Sequence, residues 1–321
     1  MKKTHLLHIV ILGVILGFLV STLGACAVLV PGETANRNGP PLGHAMFGAY
    51  VKGGVWNQEI LFELETALDH EFKILHYFTN WDTPFDSEAV QDILELERIP
   101  LITWQATGKP LAAISEGRYD NYLYDWAKSV REIQAEVYIR IFPEMNGNWT
   151  TWHGNPKELV AAWQHIVNVF EVEGATNVRW VWSPNVTDEP ATEANRMELY
   201  YPGARYVDVL ALDGYNWGTT RPYTAWKPFE EIFRTPYERV TALGRQPLWL
   251  AEVASTEYGG DKAEWINAML SNTAFPRINA VIWFNENKET DWRIESSRQS
   301  LSAFRDWHDD TPTVSTLLAS R

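Results

Sequence analysis

Short apolar runs rich in β-branched and aromatic residues alternate with longer stretches whose apolar residues recur every three or four positions. From Ala45 onward this alternation completes eight rounds. It predicts strands over residues 46–51, 73–78, 100–104, 137–143, 178–182, 207–213, 248–253 and 278–284. Helical periodicity falls between them, over residues 59–70, 86–97, 119–134, 156–173, 226–243 and 262–270. Asn155 followed by Pro156 reads as a helix start, with a side-chain cap and a proline at the first helical position. Strands this apolar are buried on both faces, as a parallel sheet requires. Eight strand–helix rounds without an interruption predict an α/β fold, a single closed (β/α)8 TIM barrel over residues 45–308. An open doubly wound sheet is the alternative.

In such a barrel, chemistry gathers where the strands end at their C-termini. The polar and aromatic residues there are Trp81, Asp82, Trp104, Glu144, Asn146, Trp182, Asn185, Asp213, Tyr215, Asn216, Glu252, Trp283 and Asn285. Side chains alternate along a strand, so Arg140, Phe142 and Glu144 are expected on one face, and Leu248, Leu250 and Glu252 on another. Each glutamate would then close an otherwise inward-pointing line. Arg140 lies deep in the fourth strand, where a cation needs a carboxylate partner near the barrel axis.

Composition narrows the partners. The chain has 321 residues and a formal charge of −14, which disfavours nucleic acid and acidic surfaces and suits a neutral substrate. Its 16 tryptophans supply flat amphipathic faces of the kind that cover the C–H side of a pyranose. Trp163, Trp265 and Trp307 fall in helical patterns and read as packing residues; Trp149, Trp152, Trp217 and Trp283 fall near the mouth loops and read as sugar contacts, with Trp81 and Trp104 further candidates. The segment after strand eight, Asp291-Trp292-Arg293, fits either a rim contact or a local ion pair. Neither an H-E-x-x-H nor a H-x-H cluster, a G-x-S-x-G elbow nor a phosphate-binding glycine loop occurs, and no cofactor or metal is expected.

The N-terminus reads differently. Lys2 and Lys3 precede an apolar run over residues 8–20, the pattern of an export signal, and Leu23-Gly24-Ala25-Cys26 resembles a bacterial lipobox. The expectation is a signal peptide over residues 1–25, lipidation at Cys26, a tether over residues 26–44 and a polar tail over residues 309–321. The protein would then be exported and act as a monomer on a polysaccharide, touching the membrane only through the lipid as a cell-surface or periplasmic lipoprotein; simple secretion is the alternative.

Several segments together resemble glycoside hydrolase family 26. They are Ile139-Arg140-Ile141-Phe142-Pro143-Glu144-Met145-Asn146-Gly147-Asn148-Trp149 with Trp152 following, Arg179-Trp180-Val181-Trp182-Ser183-Pro184-Asn185, Tyr201-Pro202-Gly203, Asp213-Gly214-Tyr215-Asn216 and Leu250-Ala251-Glu252. The resemblance implies a retaining (β/α)8 glycosidase in which Glu144 is the acid/base, Glu252 the nucleophile, Tyr215 the hydroxyl that orients the nucleophile, and Trp283 the floor beneath the sugar at the cleavage point, with Asn146 and Asn185 among the substrate contacts. One position departs: Pro143 stands where mannanases of the family commonly carry a histidine, and a proline ring offers no hydrogen bond to a sugar hydroxyl. The implied activity is endo-hydrolysis of β-1,4-mannan, with β-1,3-1,4-glucan as the alternative substrate. Binding of polysaccharide without cleavage is a different class of function that the same fold would allow. The presence of both glutamates argues against it.

Overall fold

The computed structural model describes residues 40–306. The expected signal peptide, Cys26, most of the expected tether, Trp307 and the expected tail therefore lie outside the described residues. Eight parallel strands close on themselves in chain order. They are β1 Met46–Val51, β2 Ile74–Asn80, β3 Ile99–Gln105, β4 Val137–Ile141, β5 Val178–Trp182, β6 Val209–Asn216, β7 Leu248–Ser255 and β8 Ile278–Asn285. The helices are α1 Gln58–Leu68, α2 Ser87–Glu95, α3 Leu111–Ser115, α4 Asp120–Arg131, α5 Pro156–Val172, α6 Phe229–Thr241, α7 Lys262–Leu270 and α8 Arg298–Arg305. The single (β/α)8 barrel is thus present. Its α3 and α8 carry too few turns to stand out as periodic in the sequence. Helix α5 starts as its sequence predicts, with the Asn155 side chain accepting from the Glu158 amide and Pro156 in the first turn.

Two cores divide the apolar residues. The barrel interior is filled by Ile74, Leu101, Val181, Val209, Ala211, Trp249, Ala251, Ala280 and Ile282. A larger core between sheet and helices takes the alternate strand positions, such as Ile102, Ile139, Leu250 and Val281. Gly48 shows how close the strands come: a Cβ there would lie 2.6 Å from the Cβ of Ile74, so β1 can seat against β2 only without a side chain.

Simple alternation fails at the two strand ends that matter most. On β7, Leu248 and Leu250 belong to the outer core while Trp249 and Ala251 face inward. A bulge then places two residues, Ala251 and Glu252, where β8 has only Ile282, and pairs Asp213 with Glu252 directly after Leu212 with Leu250. That extra residue turns Glu252 to the barrel axis. On β4, Phe142 and Glu144 both adopt left-handed backbone, with φ of 47° and 53°, a conformation that costs an ordinary residue about 1–3 kcal/mol. The turn sends Phe142 outward against Trp152 and Trp163 and swings Glu144 over the barrel mouth. The expected shared faces of Arg140 with Phe142 and of Leu250 with Glu252 are therefore corrected.

Candidate active site

At the C-terminal mouth lies a cleft of about 930 Å³ whose walls include Phe78, Gln105, Pro143, Glu144, Asn185, Tyr215, Trp217, Glu252, Phe284 and Trp292. Both glutamates line it. Around Glu252 the neighbours are buried and strongly polar. One carboxylate oxygen accepts from Arg140 Nη2 and the other from the Tyr215 hydroxyl, both through short contacts. Arg140 is fully buried, and its Nη1 also donates to Asp213 at 2.8 Å. A lone cation there would be untenable; paired with two carboxylates it stays charged, and the two acids hold its pKa above its ordinary value against the opposing pull of burial.

The orientation of Arg140 is set from behind. Its Nε donates to Thr103 Oγ1 at 2.8 Å, and Thr103 Oγ1 lies 2.6 Å from His76 Nε2. Burial, reinforced by the Arg140 charge, pushes the His76 imidazole well below its usual pKa, so it is neutral and shares one hydrogen bond with the Thr103 hydroxyl. The Tyr215 phenol is pushed well above its usual pKa by burial and by the Glu252 charge, which keeps it a donor. The expectation that Arg140 meets a carboxylate near the barrel axis is met twice.

Glu144 is held by neutral donors on loops. Asn185 Nδ2 donates to one oxygen and Trp149 Nε1 to the other, each at 2.7 Å. Burial raises the carboxyl pKa above the ordinary range, the Glu252 charge raises it further, and the two N–H donors only partly offset this. The two carboxyls thus sit in one cleft with different surroundings, the condition for one to carry a proton while the other does not.

Several residues named from sequence lie elsewhere. Trp283 is fully buried among Trp265 and Phe304, its indole N–H donating to the Trp292 carbonyl at 2.9 Å. It faces the helices because Ala280 and Ile282 face the barrel, so it does not floor the cleft. Phe284 and, from the loop beyond, an edge of the otherwise buried Trp292 border the cleft instead. Trp104 and Trp81 stack on each other at 5.0 Å, with Trp104 against Trp126 at 4.0 Å, in the outer core. Thr103 points inward to Arg140, so its neighbour Trp104 must point out. Asn146 is also buried: its amide donates to Asn185 O, Thr187 O and Asp188, and its oxygen accepts from the Asn185 amide. It fastens the loop that carries Asn185 and, wholly buried, does not line the cleft. Trp149, Trp152, Trp217 and Asn185 do line the cleft, although Trp152 is almost wholly buried and donates to the Pro143 carbonyl at 2.8 Å. Trp163 and Trp265 are packing residues, as their helical positions predict. At Asp291-Trp292-Arg293 both open readings hold, since Asp291 pairs with Arg293 while Trp292 reaches the cleft.

Residues that sequence reasoning passed over include Phe78 and Gln105, which share the inward parity of His76 and Thr103 and were legible from it. Arg221 and Tyr223 were not legible; they extend the wall outward from Trp217, with the Arg221 guanidinium 3.9 Å from the Trp217 ring centre. Among the described residues, no group of three or more His, Cys, Asp or Glu is placed to hold a metal ion.

The fold and this pair of carboxyls define a class, the (β/α)8 proteins with an acid cleft at the barrel mouth. The sequence profile of glycosyl hydrolase family 26 matches residues 115–296, and the chain belongs to that family. Endoglucanase H of Acetivibrio thermocellus is 33% identical over 277 residues, covering 81% of this chain and 30% of that protein. The mannan endo-1,4-β-mannosidase A and B of Caldalkalibacillus mannanilyticus is 27% identical over 207 residues, covering 60% of this chain and 36% of its own length. The chain thus spans only about a third of these relatives. Among solved structures, a Cellulomonas fimi endo-β-1,4-mannanase double mutant shares the fold with a TM-score of 0.64 at 15% identity, over 84% of this chain and 71% of that one. A Bacillus subtilis mannanase does so with a TM-score of 0.61 at 18% identity, over 84% and 90%.

Proposed function

We propose that this chain is a retaining endo-β-glycanase that hydrolyses β-1,4-mannan by double displacement, with Glu252 as nucleophile and Glu144 as acid/base. The observation that carries the reading is the contrast within one cleft: a cationic and phenolic clasp on Glu252, and a raised carboxyl at Glu144. Glu144 protonates the departing glycosidic oxygen while Glu252 meets the oxocarbenium-like carbon. Arg140 and Tyr215 hold the attacking carboxylate in place. Once Glu252 is esterified, its charge no longer raises the Glu144 pKa; Glu144 then takes a proton from the water that releases the sugar. For Glu144 to reach the leaving group, the indole N–H of Trp149 must yield its oxygen, and the exposure of Trp149 leaves it room to do so. Tyr215 and Trp217 supply the apolar wall for the sugar in place of Trp283, with the buried Trp292 packed behind them at 5.1 and 4.8 Å.

A second substrate, mixed-linkage β-1,3-1,4-glucan, is favoured by Pro143 and by the higher identity to a relative named as an endoglucanase. Reducing-sugar release from mannan, galactomannan, lichenan and cellulose separates the two. Cleavage of none of them would sink the glycanase reading. Product anomers followed by proton NMR test retention, and an inverted first product would overturn the double displacement. The protein is further proposed to act as a monomer held at the membrane by a lipid on Cys26, so Cys26→Ser should leave the membrane fraction; full retention there would overturn the anchor.

A further inference from the structure

Lys262 is the first residue of α7 and is buried, which sets it against both its hydration and the positive end of the helix dipole. What offsets those costs is the loop after β8. The Nζ donates to the Arg293 carbonyl at 2.6 Å, the Ser296 hydroxyl at 2.9 Å and the Trp292 carbonyl at 3.3 Å. Ser296 passes its own proton to Glu257 at 2.6 Å, and the Trp292 carbonyl also accepts from Trp283. Three donors on an ammonium thus meet three acceptors, two of them backbone carbonyls of the segment whose buried indole packs behind Tyr215 and Trp217 in the cleft wall.

We propose that Lys262 is a positioning residue for sugar binding: its ammonium anchors the backbone of Trp292 and Arg293, and so holds the buried Trp292 indole as a fixed backing for Tyr215 and Trp217, which face the cleft. This rests on the glycanase reading of that cleft. The clasp works only while charged, since a neutral amine has two donors for three acceptors and turns a lone pair toward one of them. Burial pushes the Lys262 pKa down to about 8, against the favourable charges of Glu257, Asp291 and Glu295 and with the opposing Arg293. The anchor therefore loosens as pH rises through about 8, where an exposed lysine would still be charged.

The test joins amide exchange to binding. Binding of β-1,4-mannotetraose and of a mixed-linkage β-1,3-1,4-glucotetraose is followed by tryptophan fluorescence on the Glu144→Gln protein, with and without Lys262→Met. With Lys262 present, protection of the amides at 292–296 should fall relative to those of β8 from about pH 7 to about pH 9.5, and the bound tetrasaccharide should weaken about three- to tenfold, the cost of ordering one freed side chain. With Lys262→Met, binding should be weak and flat across that range. Protection that does not fall with pH overturns the anchor, and needs no variant should Lys262→Met fail to fold. Binding whose pH dependence is the same with and without Lys262 overturns its role in sugar binding while leaving the glycanase reading intact. Failure of wild type to cleave any polysaccharide, with neither tetrasaccharide bound, overturns that reading and the sugar-binding role together.

Discussion

The two glutamates share a cleft but are held by opposite means. Glu252 sits on a bulge in a fully paired strand, gripped by a buried arginine and a half-buried phenol, with a second row of Thr103, His76 and Asp213 behind them. Glu144 sits past the end of its strand on left-handed backbone, with two neutral donors, one of them on a half-exposed indole. A nucleophile must stay aimed while it gives up its charge to the glycosyl ester and regains it, so rigid support suits it. A residue that gives up a proton and later takes one back needs surroundings that tolerate both states, and weak neutral contacts allow that. Rigidity is thus concentrated on one side of the cleft and adaptability on the other.

The largest effect should come from removing the glutamates themselves. Glu252→Ala should lose turnover even on aryl β-glycosides with good leaving groups, and any azide product should have the α configuration. Glu144→Ala should keep attack on those activated substrates, lose about 10²–10⁴-fold on polysaccharide, and give a β-glycosyl azide when azide is added. The opposite pairing of phenotypes would reverse the assignment of the two sides.

Next in size is the support behind Glu252. Arg140→Met leaves Asp213 and Glu252 buried without their cation and should cost about 3–5 kcal/mol in denaturant unfolding, whereas Asn185→Ala, on the Glu144 side, should cost far less. Equal losses would erase the contrast in rigidity. Tyr215→Phe removes one hydrogen bond to a charged group, about 1.5–3 kcal/mol, and should lower kcat roughly ten- to hundredfold with little change in KM. An unchanged kcat would show the phenol to be idle.

A pair of tryptophans sharpens the boundary of the site. Trp283→Ala should destabilise by about 3–5 kcal/mol while sparing kcat/KM at temperatures where the protein is folded, and Trp217→Ala, at a partly exposed cleft position, should do the reverse. The smallest effect is the most specific. The Trp149 indole N–H lowers the Glu144 pKa, so Trp149→Phe should raise it further; because the acid works protonated, the alkaline limb of kcat/KM should move to higher pH. A limb that moves down, or stays put, would mean that Trp149 does not govern the acid.

Much of this was legible in the chain itself. Eight apolar runs at regular spacing specify a parallel barrel because each must be covered on both faces, and the barrel in turn puts Glu144, Tyr215 and Glu252 at one mouth. Local patterns also served for the start of α5 and for Trp163 and Trp265. What alternation could not supply was direction at the strand ends. The bulge at Ala251–Glu252 and the left-handed turn at Phe142–Glu144 reverse the faces that a period of two assigns, and both arise from packing against neighbouring strands and loops distant in sequence. The same is true of Trp283 and Trp292. They lie nine residues apart in the chain, and only the inward turn of Ala280 and Ile282, with the loop pinned by Lys262, decides that the first packs against the helices and the second behind Tyr215 and Trp217 of the cleft wall. Periodicity is a property of the local backbone and can be read from residue order; which indole meets the sugar depends on closure of the barrel, which brings β8 beside β1 and the loop after β8 over the nucleophile.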